Sequence, residues 1–195
     1  MIEECKAALS HFVPEYVYFI DKPKSFSIEE KKAGGAGKAF FSSATPCLMI
    51  KAKDQAPLVW AFKNKKCAEG AFLTFEDDGM CNLHILEMKS KLTQGEWAKV
   101  MLQLSGMYLS ALATCRLLGI ISFKSVTCYV AFKEDAMSPA KSADMIFLKS
   151  FVGAENPIGG ADEWQTGKME LPFSTPAAIR KGQRNASNDI DFGTV

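Results

Sequence analysis

A chain of 195 residues, 48% of them apolar and with a formal charge of +1, can bury one substantial core, and its charge gives no global pull toward nucleic acid. Crossing a bilayer takes about 20 apolar residues; no run comes near that, and Met1-Ile2-Glu3-Glu4-Cys5 lacks the basic-then-apolar layout of a signal peptide, so a cytoplasmic chain with no membrane partner is expected. Two histidines and six scattered cysteines without a CxxC pair leave no ligands for HExxH chemistry or a structural zinc, and reduced thiols inside apolar runs act as small hydrophobes.

In chain order, Ile2, Cys5, Leu9 and Phe12 share one stripe and predict a short helix over 2–12, ending before Pro14. Tyr16 to Ile20 is aromatic and β-branched, and Ser27-Ile28-Glu29-Glu30 suits a second short helix with Ser27 as its N-cap. Gly34-Gly35-Ala36-Gly37-Lys38 misses phosphate-loop spacing, because Lys32 stands at the first Gly position and Ala39 follows the lysine. It reads as a flexible loop.

Cys47 to Lys53 and Leu58 to Lys63 are β-rich runs around Asp54-Gln55-Ala56-Pro57, a first hairpin. Glu69 to Glu76 and Met80 to Ser90, around Asp77-Asp78-Gly79, make a second. Thr93 and Glu96 then form a capping box, and Trp97, Met101, Leu104, Tyr108, Ala111 and Cys115 lay down an apolar stripe until Gly119. Val126 to Phe132 reads as a buried strand, and Met145 to Val152 is the most strand-like part of 134–173. Beyond Phe173 the composition turns to Ser, Pro, Asn, Gly and Lys. The expectation is an α/β fold, a mixed sheet with antiparallel hairpins flanked by helices, with residues 1–173 as one domain and 174–195 as a disordered tail.

Candidate chemistry depends on the register of the second hairpin. A three-residue turn, type I followed by Gly79 in the left-handed region, pairs Glu76 with Met80. Phe75 then faces Cys81, Leu73 faces Leu83, Ala71 faces Ile85 and Glu69 faces Glu87, with Lys89 two residues further along the same face. A two-residue Asp78-Gly79 turn would instead set Glu69 against Met88. The three-residue turn matches apolar to apolar, and it places two like charges opposite each other, which calls for a shared proton or a bound cation. Mg²⁺ or Mn²⁺ suits two carboxylates, and a neighbouring lysine can orient water attacking a phosphodiester. Asp77 and Asp78 lie about 30 Å along the strand from Glu87, at the turn.

His84-Ile85-Leu86-Glu87-Met88-Lys89 resembles the apolar strand and (D/E)XK half of the PD-(D/E)XK nuclease superfamily, and Cys67-Ala68-Glu69 occupies the place of its PD. Ala68 replaces the proline, and Glu69 replaces the aspartate. The resemblance covers about residues 1–133 and implies a restriction-endonuclease-like αβββαβ core. It implies Glu69, Glu87 and the Met88 carbonyl as metal ligands, and Glu69, Glu87 and Lys89 as the catalytic set of a magnesium-dependent endonuclease. The implied substrate is nucleic acid, DNA in the first place, within host defence or DNA processing. A homodimer or protein partner would supply specificity.

Lys63, Lys65, Lys66 and Lys91 flank this site as candidate phosphate contacts, although solvation alone also selects lysines at strand ends. Glu-x-Lys on a strand face is commonly an exposed pair worth about 0–1 kcal/mol, but Leu83 and Ile85 share this face. Gln103 with Tyr108 resembles a helical motif of some nucleases at a spacing of five instead of four, which favours packing roles. Glu29 or Glu30 is a candidate third acid, and His84 falls on the opposite strand face from Glu87. A nuclease-like fold without catalysis, serving as a binding module, is the alternative.

Overall fold

The bend at 77–79 closes as a three-residue turn. The Glu76 amide donates to the Met80 carbonyl at 2.9 Å, the Gly79 amide donates to the Glu76 carbonyl at 2.9 Å, and Gly79 takes φ 81°. The computed structural model describes residues 2–21, 25–30, 36–137 and 161–195. Helix α1 (Ile2–Ala8) continues into a short 3-10 turn, Leu9–His11. Then come β1 (Val17–Ile20), β2 (Phe26–Glu30), β3 (Gly37–Ser42), β4 (Cys47–Lys51), β5 (Gly70–Phe75) and β6 (Cys81–Leu92). Helix α2 (Gln94–Leu117) and β7 (Ser125–Asp135) follow, with α3 (Ala161–Thr166), β8 (Lys168–Leu171), β9 (Thr175–Gln183) and β10 (Ile190–Thr194) completing the described elements.

Seven strands form a mixed sheet in the order β1-β4-β5-β6-β7-β9-β8. The β4-β5-β6 meander is antiparallel, while β7 runs parallel to β6 and β9 parallel to β7. Along β5 and β6 the apolar pairs expected from the three-residue turn form, Phe75↔Cys81, Leu73↔Leu83 and Ala71↔Ile85, and the register ends at Gly70↔Leu86, one residue short of Glu69. Alternation then sends Leu73, Leu83, Ile85 and Val130 to one face, where Trp97, Leu104, Met107 and Ala111 of α2 bury them. The Thr93 hydroxyl accepts the Glu96 amide at 3.3 Å to start α2, and Gly119 at φ 80° ends it.

The other face is covered by a second sheet, β10-β3-β2, instead of by the expected helices. Phe26, Ile28, Ala39 and Phe41 from that sheet pack on Phe72, Leu86, Met88 and Tyr129. Residues 27–30, expected to open a helix, are therefore strand β2. Phe26, Ile28 and Glu30 are buried alternately, and that period of two outweighs the local N-cap signal.

The second strand of the expected first hairpin is also absent. Lys53 and Ala56 close a tight turn, Asp54 and Gln55 at its centre take φ 52° and 53°, and β4 pairs with β5. Leu58 and Trp60 are 52% and 86% exposed, so the apolar content of 58–63 does not form a strand's buried face.

The expected disordered tail, 174–195, is ordered as β9 and β10. Its few apolar side chains are placed where they count: Ala177 and Ile179 enter the main core, while Ile190 and Phe192 pack against the second sheet. Backbone pairing along β7 supplies the rest, and side-chain composition does not report it. Residues 31–35 and the expected strand 145–152 lie outside the described residues. Among the described residues, no helix is long and apolar enough to cross a membrane.

Candidate active site

Strand β5 stops at Gly70, whereas β6 runs on to Leu92, so Glu87, Met88 and Lys89 lie beyond the end of their antiparallel neighbour. The Glu69 amide donates to the Leu86 carbonyl at 3.1 Å although Leu86 is the register partner of Gly70, so the ladder slips by one residue at this end and the expected Glu69–Glu87 pairing does not form part of it. Carbonyls two apart on a strand point the same way. The Met88 carbonyl therefore faces the side that β5 has vacated, as the Leu86 carbonyl does.

Glu87 is wholly buried, and Lys89 lies with its Nζ 2.7 Å from Glu87 Oε1, its side chain 14% exposed. A buried carboxylate needs a cation, and the lysine ammonium supplies one here. Glu69 is half-buried and accepts a hydrogen bond from Gln55 Nε2 of the 53–56 turn. Both glutamates sit close enough to Cys67 to add to the effect of burial, which pushes that thiol up to about 12. All six cysteines are buried free thiols.

Of the openings along the 53–56 turn, two hold site candidates. A cleft of about 510 Å³ is lined by Glu69 together with Asp54, Gln55, Lys51, Lys53 and Glu29. A pocket of about 370 Å³ is lined by Lys89 together with Lys65, Lys66, Lys99, Glu96 and Gln103, and shares Asp54 and Gln55 with the first. Of the phosphate-contact candidates, Lys65 and Lys66 thus reach the pocket. Lys63 is exposed and lines neither opening, and Lys91 is engaged by Glu134 of β7.

The third-acid candidates separate. Glu29 lines the cleft with Glu69 while pairing with Lys38, whereas Glu30 is held by Arg184 at 2.7 Å in the second sheet's layer. Among the described residues, no group of three acids, histidines or cysteines is arranged to hold a metal. His84 points to the second sheet, as parity requires. It is stacked on Phe72, hydrogen-bonded to Thr74 and Tyr129, and lowered to about 4 by burial with Arg180 adding to the effect.

Gln103, read from sequence as a packing residue, lines the Lys89 pocket, while Tyr108 bonds Thr175 elsewhere. Lys99 and Gln55 went unnoticed in the sequence. Lys99 stands four residues before Gln103 on α2, so helical spacing from Gln103 could have located it. Gln55 has no such signal.

This is a mixed α/β protein with two mixed sheets, two glutamates near Cys67 at the open end of one hairpin and a lysine-lined pocket beside them. Comparison with protein-family models, curated proteins and solved structures gives no match.

Proposed function

We propose that this protein is a metal-dependent nuclease with a restriction-endonuclease-like core, hydrolysing phosphodiester bonds of nucleic acid, with DNA as the first substrate to test. The observation that carries the reading is the buried Glu87–Lys89 pair. Its partners are two residues apart on one strand, so this ion pair itself does not bridge two elements. A buried ion pair whose lysine lines a cationic pocket, with a second carboxylate near the same Cys67, is the pattern of a reactive site. Leaving aside β1, β2 and β3, which stand between α1 and the meander, the succession helix, antiparallel meander, helix, parallel strand supports comparison with the αβββαβ core of the superfamily that the Glu87-Met88-Lys89 run resembles.

Glu69, Glu87 and the Met88 carbonyl are the residues that would hold Mg²⁺ or Mn²⁺. All three donors are hard oxygens, and a six-coordinate ion would keep water at its remaining positions. Such an ion supplies Lewis-acid polarisation and more acidic water. Lys89 then passes from neutralising Glu87 to offsetting charge on the phosphate under attack, and Lys65 and Lys66 neutralise neighbouring phosphates. Gln55 orients Glu69 from the turn above it.

A second reading, a nuclease-like binding module without catalysis, is favoured by the enclosure of Glu87 against Lys89 and by the lack of a three-residue metal group among the described residues. Cleavage of single- and double-stranded DNA and of RNA, titrated with Mg²⁺ and Mn²⁺, distinguishes the two. The nuclease reading expects metal-dependent cleavage that falls at least about a hundredfold in Glu87→Ala. Equal residual cleavage by wild type and Glu87→Ala sinks it in favour of the binding module.

A further inference from the structure

Helix α2 carries no charged side chain from Val100 to Cys115, although only part of its surface is covered. One stripe (Trp97, Leu104, Met107 and Ala111) is buried on the sheet. A second takes the segment 58–67: the Leu58 amide donates to Ser110 Oγ at 3.0 Å, and Asn64 Nδ2 donates to the Leu102 carbonyl at 2.6 Å. A third runs through Ala98, Leu102, Ser105, Leu109, Leu112 and Arg116 in alternating steps of four and three, the heptad spacing of a seam between two helices. Ala98, Leu102 and Arg116 are exposed, and Ser105, Leu109 and Leu112 are half-buried. A helix with an open face ordinarily turns charge to water there, whereas one that is apolar all round is covered.

Exposed apolar side chains flank the third stripe on both sides. Leu58 and Trp60 stand on the segment along one side. On the other, Ile121 and Phe173, 69% and 77% exposed, line an opening of about 390 Å³ together with Leu112 and Arg116. Apolar surface gathered in this way marks a contact with another molecule.

We propose that this face joins two copies of the chain, their α2 helices packed antiparallel about a two-fold axis near Met107. Side-chain size along the stripe selects that arrangement. Its first half is small at Ala98 and Ser105, and its second half is long at Leu109, Leu112 and Arg116. A two-fold axis sets Ala98 against Arg116 of the second copy, Leu102 against Leu112 and Ser105 against Leu109, so small meets long in two layers of three. A parallel pair would stack Arg116 on Arg116 at one end and leave a void between two Ala98 side chains at the other. The area also suffices. With 24 residues and a rise of about 1.5 Å each, α2 is about 36 Å long, so the roughly 800 Å² per partner of a stable interface asks for a width of about 22 Å. The helix gives about 10–12 Å of that, and the two apolar flanks supply the rest. The centre of the seam is free of charge, as interface cores are.

The test is sedimentation velocity of the full chain from about 1 to 100 µM, a range that spans the affinities of ordinary dimers. Wild type is expected to pass from monomer to dimer within it or to be dimeric throughout. Leu109→Glu, which enters a two-fold interface twice, should weaken the dimer at least about a hundredfold. Leu102→Glu should do the same, and because Leu102 is exposed in the single copy this variant carries the test should Leu109→Glu fail to fold. Ala98→Glu, opposite Arg116 of the second copy, should weaken it less than about threefold. Circular dichroism checks each fold against wild type. A monomer at every concentration, or a dimer that neither leucine variant weakens, overturns the proposal and leaves the stripe to another stretch of the chain or to a different protein. Equal weakening by Ala98→Glu and Leu102→Glu overturns the antiparallel arrangement. Metal-dependent cleavage is measured separately, so loss of the dimer and loss of the nuclease reading are distinguishable.

Discussion

Each face of the seven-stranded sheet buries one carboxylate against one cation, and the two pairs are built differently. On the second-sheet side, Arg184 Nη1 contacts Glu30 Oε2 at 2.7 Å, and Arg184 Nε donates to the Asn188 carbonyl at 2.6 Å, so residues 154 apart in sequence lock the end of the chain to β2. On the α2 side, Glu87 meets Lys89 from its own strand, and the lysine opens onto a pocket with three further lysines. The first pair joins distant elements with a rigid, forked donor; the second joins two positions of one strand through a flexible point charge. Buried charge alone does not mark a reactive site; what sets the proposed one apart is the cationic pocket that Lys89 lines.

The sharpest way to break this contrast is to remove one cation from each side. Arg184→Met leaves Glu30 buried without its guanidinium and should cost about 3–5 kcal/mol in urea unfolding. Lys89→Met orphans the wholly buried Glu87 in the same way and should cost a similar amount, while only Arg184→Met should also loosen the chain end, seen as faster amide exchange over 184–195. Equal exchange there in the two variants would erase the distinction between the pairs.

His84 refines the second-sheet side. Its ordinary value near 6.5 falls to about 4 in the folded protein, so the unfolded chain takes up the proton first. The resulting stabilisation is complete above pH 6.5 and is lost as pH falls from 6.5 toward 4, by roughly 3 kcal/mol in all. Unfolding midpoints measured at intervals from pH 7 to 4 should show that slope in wild type, with the His84 part missing from His84→Gln. Identical slopes would mean that His84 is free to protonate in place.

Gly106→Ala tests the α2 side, where the new Cβ must displace the Lys66 carbonyl. A loss of about 1–3 kcal/mol by thermal unfolding is expected, together with weaker nucleic-acid binding as Lys65 and Lys66 move. Thr93→Ala should have the smallest effect, about 1 kcal/mol for the lost cap of α2, leaving binding in place.

The legible parts of the fold were those fixed by local alternation. The β5-β6 register could be counted from Asp77-Asp78-Gly79 because each inward position was apolar on both strands, and α2 declared itself through Thr93, its stripe and Gly119. Elements stabilised mainly by distant pairing were hidden. Thr175–Gln183 carries few apolar side chains and relies on the edge of β7, and residues 26–30 are strand because Phe41 and Phe72 lie across from Phe26. For the site, spacing along one strand placed Glu87 and Lys89 together, while the register counted from the turn ends one residue before Glu69. The pocket's other wall is made by α2 against a loop, and only the fold brings Lys99 and Gln103 beside Lys66.

The central claim is that Glu69 and Glu87 act together on one divalent cation beside Lys89. Titration of the full chain with Mn²⁺, followed by the loss of the free-ion electron paramagnetic resonance signal, tests it without any substrate. One site is expected in wild type, weakened at least about tenfold in both Glu69→Gln and Glu87→Gln. Unchanged Mn²⁺ binding in either variant, or none in wild type, contradicts it.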